Sequence, residues 1–179
     1  MRRINVVGTS CSGKTTLARA IAARLHLEHV ELDALFWGPD WTPVPETVFR
    51  ERVGAAVAAD AWVIDGGYSP IRDLTWSRVD TVVWLDYPMP LVIGRWARRT
   101  AARLRSQEEF WPGSGNRESL GNVLSRGGLL WWILRTHRRR RRTMAARLDA
   151  RPDVQAIRLR SHAEAERWVR GLAFEAPVA

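Results

Sequence analysis

Cysteine, lysine and long apolar runs are all scarce in this sequence of 179 residues. The single cysteine, Cys11, excludes a disulfide framework and a structural zinc site, and it makes a reducing, cytoplasmic compartment the expected one. The run Leu129–Leu134 is far shorter than the roughly 20 apolar residues that a membrane span needs. The apolar run near the N-terminus ends at Gly8 and is too short for a signal peptide, so we expect a cytoplasmic protein without a membrane span.

Basic charge, by contrast, is abundant and comes almost entirely from one residue type. The sequence contains 28 Lys and Arg against 19 Asp and Glu, and all but one of the 28 are arginines. The net charge of +9 is typical of proteins that bind nucleic acid, membrane surfaces or anionic substrates, but a GC-rich genome that encodes Arg in place of Lys explains it equally well. The hydrophobic fraction of 46% and the charged fraction of 26% indicate one globular domain and exclude a disordered chain.

Short apolar strands alternate with longer amphipathic segments along the chain. The predicted strands are Ile4–Val7, Val30–Leu32, Trp62–Asp65, Thr81–Leu85 and Val154–Leu159. The predicted helices are Thr16–Leu25, Glu46–Ala59, Leu91–Leu104, Leu129–Leu148 and Ala163–Leu172. Alternation of this kind predicts an α/β fold with a five-stranded parallel sheet and helices on both faces.

A glycine-rich loop follows the first predicted strand. The segment Gly8–Thr15 reads GTSCSGKT and fits the pattern G-x-x-x-x-G-K-[ST], between a strand and a helix as the motif requires. Glycine lets successive backbone N–H groups turn toward a phosphate, and the helix N-terminus adds its dipole. Lys14 would bring positive charge to the outer phosphates of ATP, and the Thr15 hydroxyl would bind Mg²⁺. The predicted nucleotide-binding residues are Gly8, Ser10, Cys11, Ser12, Gly13, Lys14, Thr15 and Thr16.

The cysteine within this loop allows two interpretations. Cys11 is either a small side chain at a tolerant position or a thiol made acidic by the loop N–H groups and Lys14. The two differ in the pKa that they predict for the thiol.

Acidic residues follow three of the predicted strands, where open α/β sheets bind their ligands. Asp65, before two glycines, is placed as a second Mg²⁺ ligand, and a turn-capping role is the alternative. Asp33 would orient or deprotonate an acceptor hydroxyl, or would serve as a helix cap. Asp86 precedes a Tyr-Pro turn and is expected to be structural.

The order of these motifs resembles that of the P-loop nucleoside-monophosphate and small-molecule kinases, which include adenylate and shikimate kinases. The segments Leu32–Trp37 and Val63–Ser69 are most similar to the adenylate-kinase-like branch labelled DNA topology modulation protein (FlaR-related). The resemblance implies a three-layer P-loop fold with a helical and loop lid, and a kinase that uses ATP and Mg²⁺. It also implies one domain over residues 1–179, with a core of 1–33, 61–105 and 150–172, an acceptor-binding insert near 34–60 and a lid near 106–140.

The same resemblance assigns a catalytic role to two arginines. Arg95 and Arg99 lie four residues apart, which places both on one face of the helix after the fourth strand. The resemblance implies that both arginines reach the phosphates and act with Lys14 and Asp33 as catalytic residues. A solvated basic face is the other interpretation of the pair.

The acceptor side departs from the adenylate kinases. Residues 33–40 contain no arginine, and the expected Asp-Gly-Phe-Pro-Arg is replaced by DGGYS at residues 65–69, with Arg72 as a later substitute. These departures favour a hydroxyl on a neutral or cationic acceptor over AMP. The predicted acceptor-binding residues are Asp33, Trp37, Gly66, Gly67, Tyr68 and Arg72.

Five consecutive arginines, Arg138–Arg142, lie on the last long predicted helix. One or two would help neutralise phosphoryl charge, and the others must point to solvent because consecutive residues fan around a helix. The predicted function is ATP-dependent phosphotransfer to a hydroxyl or phosphate of a small molecule by a monomer or homodimer. A nucleoside-monophosphate kinase is one alternative, and a nucleotide-dependent nucleic-acid-binding protein that uses the five arginines is another.

Overall fold

Five short apolar segments form one parallel sheet in the computed structural model, which describes residues 1–125 and 127–172. The strands are Arg3–Gly8 (β1), His29–Glu31 (β2), Trp62–Asp65 (β3), Thr81–Leu85 (β4) and Gln155–Leu159 (β5). They are ordered β2-β3-β1-β4-β5, and every neighbouring pair is parallel. The predicted five-stranded parallel sheet is confirmed, and β1 lies at its centre.

Eight α-helices, besides two short 3-10 turns at Pro39–Trp41 and Ser69–Ile71, connect or follow the strands in the described ranges. They are Lys14–Leu25 (α1), Leu32–Phe36 (α2), Glu46–Ala56 (α3), Arg72–Trp76 (α4), Met89–Ser106 (α5), Leu120–Leu124 (α6), Leu129–Asp149 (α7) and His162–Arg170 (α8). The sequence predicted none of α2, α4 and α6, because five residues are too few to show a 3.6-residue period. In the part of the chain that the structure describes, no helix is both long and apolar enough to cross a membrane.

The second strand ends earlier than predicted. Leu32 is fully buried, but it begins α2 instead of ending β2. Burial alone does not distinguish a strand from a helix over so short a segment. Asp33 therefore lies in the first turn of α2, and the prediction that it directly follows the strand is wrong.

The buried apolar residues form two clusters, one on each face of the sheet. The first combines β-strand residues with α1, α5 and α8, and the second combines them with α3. Helix α7 contributes to both, through Ile133 in the first and Leu148 at the edge of the second. Helix α7 therefore passes from one layer to the other, across the edge where β1 and β4 end.

Candidate active site

The loop between β1 and α1 is shaped to hold an anion. Cys11 and Gly13 both have positive φ, 65° and 95°, and alternation of this kind turns successive N–H groups toward one point. Gly13 is also the N-cap of α1, with no side-chain hydrogen bond to the helix end and no acidic residue in the first turn. The free N–H groups and the positive end of the helix dipole are left for a ligand.

Two close approaches explain the glycines of this loop. A Cβ at Gly8 would lie 2.9 Å from the backbone oxygen of Leu85, so β4 leaves no room for a side chain there. A Cβ at Gly13 would lie 2.7 Å from Nη1 of Arg95. That same nitrogen donates a 2.6 Å hydrogen bond to the backbone oxygen of Ser12, so Arg95 lies against the phosphate loop.

Apart from Thr9, whose hydroxyl contacts His137, the polar side chains of the loop are available for a ligand. Lys14 forms no hydrogen bond or ion pair with any residue in the described ranges, and Ser12 Oγ is buried without a partner there. Ser10, Thr15 and Thr16 are partly or fully exposed at the loop and the first turn of α1. An unpartnered buried hydroxyl, a free ammonium and a glycine cradle fit the phosphates of ATP.

Arg99 and a further arginine, Arg103, extend the series begun by Arg95 along α5. Arg99 Nε and Arg103 Nη1 are buried and have no hydrogen-bond partner among the described residues. The Arg103 guanidinium lies 3.6 Å from the ring centroid of Phe110, and burial followed by the charge of Arg99 lowers its pKa. Arg103 was not predicted from the sequence, although it lies four residues after Arg99 and therefore on the same helix face.

The thiol of Cys11 is not activated. Burial raises its pKa, and this effect outweighs the opposing charges of Arg99 and Lys14. The interpretation of Cys11 as an acidified thiol is therefore wrong, and the small, tolerated side chain is the interpretation that fits.

The two residues expected to hold Mg²⁺ lie at the carboxyl end of β3 and the first turn of α1. Asp65 is 2% exposed, and its Oδ2 is 3.3 Å from Nε2 of His29. Within the described ranges no group of three His, Cys, Asp or Glu residues is arranged to hold a metal ion. One carboxylate and the Thr15 hydroxyl fit a Mg²⁺ that is held mainly by substrate phosphates and water.

Asp33 is paired with a tyrosine that follows β3. The Tyr68 hydroxyl donates a 2.5 Å hydrogen bond to Oδ1 of Asp33. Burial, and then the negative charge of Asp33, raise the pKa of Tyr68, which therefore remains a hydrogen-bond donor at neutral pH. The pair fixes the orientation of a carboxylate that the sequence assigned to the acceptor.

A cavity of about 260 Å³ lies directly beside the phosphate loop. Its walls include Gly8 and Thr9 from the loop, and all but two of the residues predicted to bind the acceptor: Gly66, Gly67, Tyr68 and Arg72. Asp33 reaches the wall only through Tyr68. Trp37 does not line the cavity; its ring packs instead on Phe36, with centroids 4.9 Å apart.

Helix α7 is bound to the ends of β1 and β4. Nδ1 of His137 lies 3.0 Å from the hydroxyl of Thr9, and both residues are buried. One turn later Arg141 makes a bidentate contact with Asp86, which also accepts hydrogen bonds from Arg158. Burial disfavours the charged form of Asp86, but the two arginines outweigh it and lower its pKa. Asp86 is thus structural, as expected, and it holds α7 against the phosphate loop.

The segment expected to form a lid is docked on the insert. In the lid loop (residues 107–119), Asn116 is 1% exposed, accepts a 2.8 Å hydrogen bond from the Trp41 N–H, and donates one of 2.9 Å to the Gly38 oxygen. Nε1 of Trp111 donates to Oε1 of Glu31 at 3.1 Å. Helix α7 is continuous through residue 140, so the predicted lid boundary falls inside a helix.

Solved structures that match this architecture include kinases of small molecules. A shikimate kinase from Bacteroides thetaiotaomicron matches with a TM-score of 0.52 and 18% identity over 94% of both chains. The chain has the fold of the P-loop kinases. A shikimate kinase from Acinetobacter baumannii in complex with shikimate matches with a TM-score of 0.52 and 18% identity, over 95% of this chain and 89% of that one. A gluconokinase from Sinorhizobium meliloti 1021 gives 0.51 and 19% over 94% of both chains. No protein-family model matches the sequence, and no curated protein does.

Proposed function

We propose that the protein is an ATP-dependent kinase that transfers the γ-phosphoryl group to a hydroxyl of a small-molecule acceptor. The observation that carries the proposal is the cavity beside the phosphate loop, whose wall includes Gly8 and Thr9 from the start of that loop. Phosphoryl transfer needs little more than positioning and charge stabilisation, and both are built in here. The likeness in fold to shikimate kinases and a gluconokinase supports an acceptor of metabolite size.

The residues divide into three roles in this proposal. The loop from Gly8 to Thr16 holds the phosphates through its N–H groups and hydroxyls. Lys14, Arg95 and Arg99 stabilise the charge of the transferring group, since Arg95 already lies against the loop. Thr15 and Asp65 hold Mg²⁺, which neutralises the phosphate oxygens when it is bound.

Asp33 is the base for the acceptor hydroxyl in this proposal, and an acceptor in the cavity extends past Tyr68 to reach it, because Asp33 itself does not line the cavity wall. The hydrogen bond from Tyr68 fixes one carboxylate oxygen of Asp33 and leaves the other for the acceptor. Tyr68 acts through Asp33 in this scheme, as a positioning residue whose ring lines the cavity.

The finer assignments rest on the sequence. The segment DGGYS at residues 65–69 supports the branch labelled DNA topology modulation protein (FlaR-related), and the scarcity of cysteine supports a cytoplasmic location. A monomer or homodimer remains the predicted assembly. A role in nucleic-acid binding has less support, because Arg139, Arg140 and Arg141 line the cavity and only Arg138 and Arg142 of the run are exposed outside it.

The kinase proposal is tested by assaying ATP consumption with a panel of nucleoside monophosphates, sugars, sugar acids and shikimate-like acids. With the acceptor so found, Lys14→Ala is expected to lower kcat by about 10³-fold or more, because a preorganised charge on the transferring group is lost. Arg98→Ala, which removes an exposed charge from α5, is the matched control and should leave kcat unchanged. Undiminished turnover by Lys14→Ala would refute the mechanism.

A further inference from the structure

Five arginines line the cavity beside the phosphate loop. Arg141 is bound to Asp86 and Arg139 is exposed, which leaves Arg72, Arg140 and Arg147 from two helices. Arg72 comes from α4, while Arg140 and Arg147 lie seven residues apart on α7 and so share one face of that helix. Arg72 donates a hydrogen bond to Oγ of Ser69 at 3.0 Å. Within the described ranges neither Arg140 nor Arg147 forms a hydrogen bond or an ion pair with another residue.

The positive charge of this cluster is not balanced by nearby acids. Burial lowers the pKa of Arg147, and the charges of Arg72 and Arg140 lower it further, so Arg147 lies close enough to both to be repelled by them. The acid in the cavity wall, Asp86, is already bound to Arg141 and Arg158.

Asp33 is the carboxylate that acts on Arg140, and it is engaged by the Tyr68 hydroxyl. A single carboxylate does not neutralise three guanidinium groups. Partly buried like charges without counter-charges are costly, and the cost is relieved when an anion enters between them.

We propose that Arg72, Arg140 and Arg147 bind an oxyanion group of the acceptor, either a carboxylate or a phosphate. The inference rests on the proposed kinase function and narrows it to anionic hydroxy compounds. Guanidinium groups suit this task because their planar N–H pairs match carboxylate and phosphate oxygens. This proposal replaces the neutral or cationic acceptor that the sequence favoured. Residues 33–40 contain no arginine, but α7 brings arginines from elsewhere in the chain to the cavity.

The dimensions of the cavity favour a compact acceptor. Its volume of about 260 Å³ is below the range of about 300–1,000 Å³ that is common for drug-sized ligands. The same cavity also has apolar wall, which is supplied by Trp76, Trp84 and Met144. A sugar acid or a sugar phosphate fits these limits better than a mononucleotide does.

The test is a direct binding measurement by calorimetry on the full chain, which requires no turnover. The probes are matched pairs that differ in charge: gluconate against sorbitol for a carboxylate, and glycerol 3-phosphate against glycerol for a phosphate. AMP is included as the larger phosphate. We expect saturable binding of at least one compact anion, with its neutral partner at least 10-fold weaker.

Two variants connect that binding to the cluster. Arg147→Gln and Arg140→Gln are each expected to weaken the anion at least 10-fold, whereas Arg142→Gln, exposed on the same helix and outside the cavity wall, should leave the affinity unchanged. Thermal unfolding of each variant verifies that it is folded.

Equal binding of a neutral partner, or unchanged affinity in both cavity variants, would overturn the oxyanion site. Tightest binding by AMP with the same arginine dependence would support the oxyanion site and overturn the compact acceptor. Calorimetry does not depend on phosphoryl transfer, so the two proposals can fail separately. If the anion binds as expected but Lys14→Ala keeps full turnover, the proposed catalytic mechanism is refuted and the binding site is not.

Discussion

At the scale of single residues, lysine and arginine divide the work of the site by their shape. Arg95 is held by a fixed hydrogen bond to Ser12, and Arg141 makes a bidentate contact with Asp86. A planar guanidinium suits such fixed contacts, whereas the compact ammonium of Lys14 is free to follow a moving phosphoryl group. The one lysine of the chain lies in the phosphate loop. We infer that sequence composition explains most of the arginine excess, and that function explains why this position is a lysine.

The role of Asp33 can be separated from that of its partner. Asp33→Asn keeps the shape of the side chain but removes the base, so kcat is expected to fall by about 10²- to 10⁴-fold. Tyr68→Phe removes only the hydrogen bond that orients Asp33, so it should lower kcat by about 10-fold, the equivalent of one such bond. Steady-state kinetics with the identified acceptor measures both.

Asp40→Asn is the control for Asp33→Asn, because Asp40 is exposed in the insert and its positive φ of 54° is one that Asn tolerates. Wild-type kcat in Asp33→Asn would exclude the residue as base. A loss in Tyr68→Phe that equals the loss in Asp33→Asn would show that Tyr68 itself takes part in the chemistry.

The role of a single residue can be predicted from the sequence when it depends on neighbours in the chain. The loop Gly8–Thr15 was found because its chemistry is contained in eight consecutive residues. Asn116 and His137 were missed, since their roles arise from contacts with Trp41 and Thr9, distant in the chain. A polar residue in such a place carries no pattern that marks it.

At the scale of elements, helix α7 shows what a sequence pattern cannot resolve. A run of identical arginines has no amphipathic period, so the sequence predicted that one or two face inward but not which. The structure turns Arg141 toward Asp86 and Arg140 toward the cavity, because His137 and Ile133 on the same helix are buried. The orientation of α7 is set by its neighbours along the whole helix.

The docked lid loop is expected to open when its central contact is removed. Asn116→Ala deletes two hydrogen bonds to the insert, at Trp41 and Gly38. Net contributions of about 1 kcal/mol per bond predict amide exchange in residues 107–119 that is roughly 10- to 30-fold faster. Hydrogen–deuterium exchange with mass spectrometry measures it, with the exposed Glu108→Ala as control. Unchanged exchange in Asn116→Ala would show that the aromatic contacts of Trp41 and Trp111 hold the loop by themselves.

At the scale of the whole molecule, the alternation of strands and helices was sufficient to predict a parallel sheet covered on both faces, but not its strand order. The order follows from which apolar faces meet, and Val63 and Ile64 face different clusters although they are adjacent. Helix α7 joins the two layers by crossing the carboxyl edge of the sheet. The contact between Asp86 and its two arginines therefore connects global stability to the shape of the active site.

Asp86→Asn is expected to destabilise the whole fold. The side chain of Asp86 is fully buried and accepts hydrogen bonds from both Arg141 and Arg158. Loss of the charge should lower the free energy of unfolding at pH 7 by about 1.5–3 kcal/mol, the range for hydrogen bonds to charged groups. Urea denaturation measures this loss, and Asp153→Asn, in an exposed pair with Arg151, is the control that should change stability little.

The pH dependence of that loss tests its electrostatic origin. The pKa of Asp86 is lower in the folded state than in the unfolded chain, so the unfolded state binds the proton more readily. The stabilisation is therefore complete above the unfolded pKa of about 3.9 and is lost as the pH falls through the lower, folded value. The difference in unfolding free energy between the wild type and Asp86→Asn should accordingly be constant from pH 7 to pH 5 and shrink at lower pH. A difference of the same size below pH 3 would mean that Asp86 stabilises α7 through shape and packing and not through its charge.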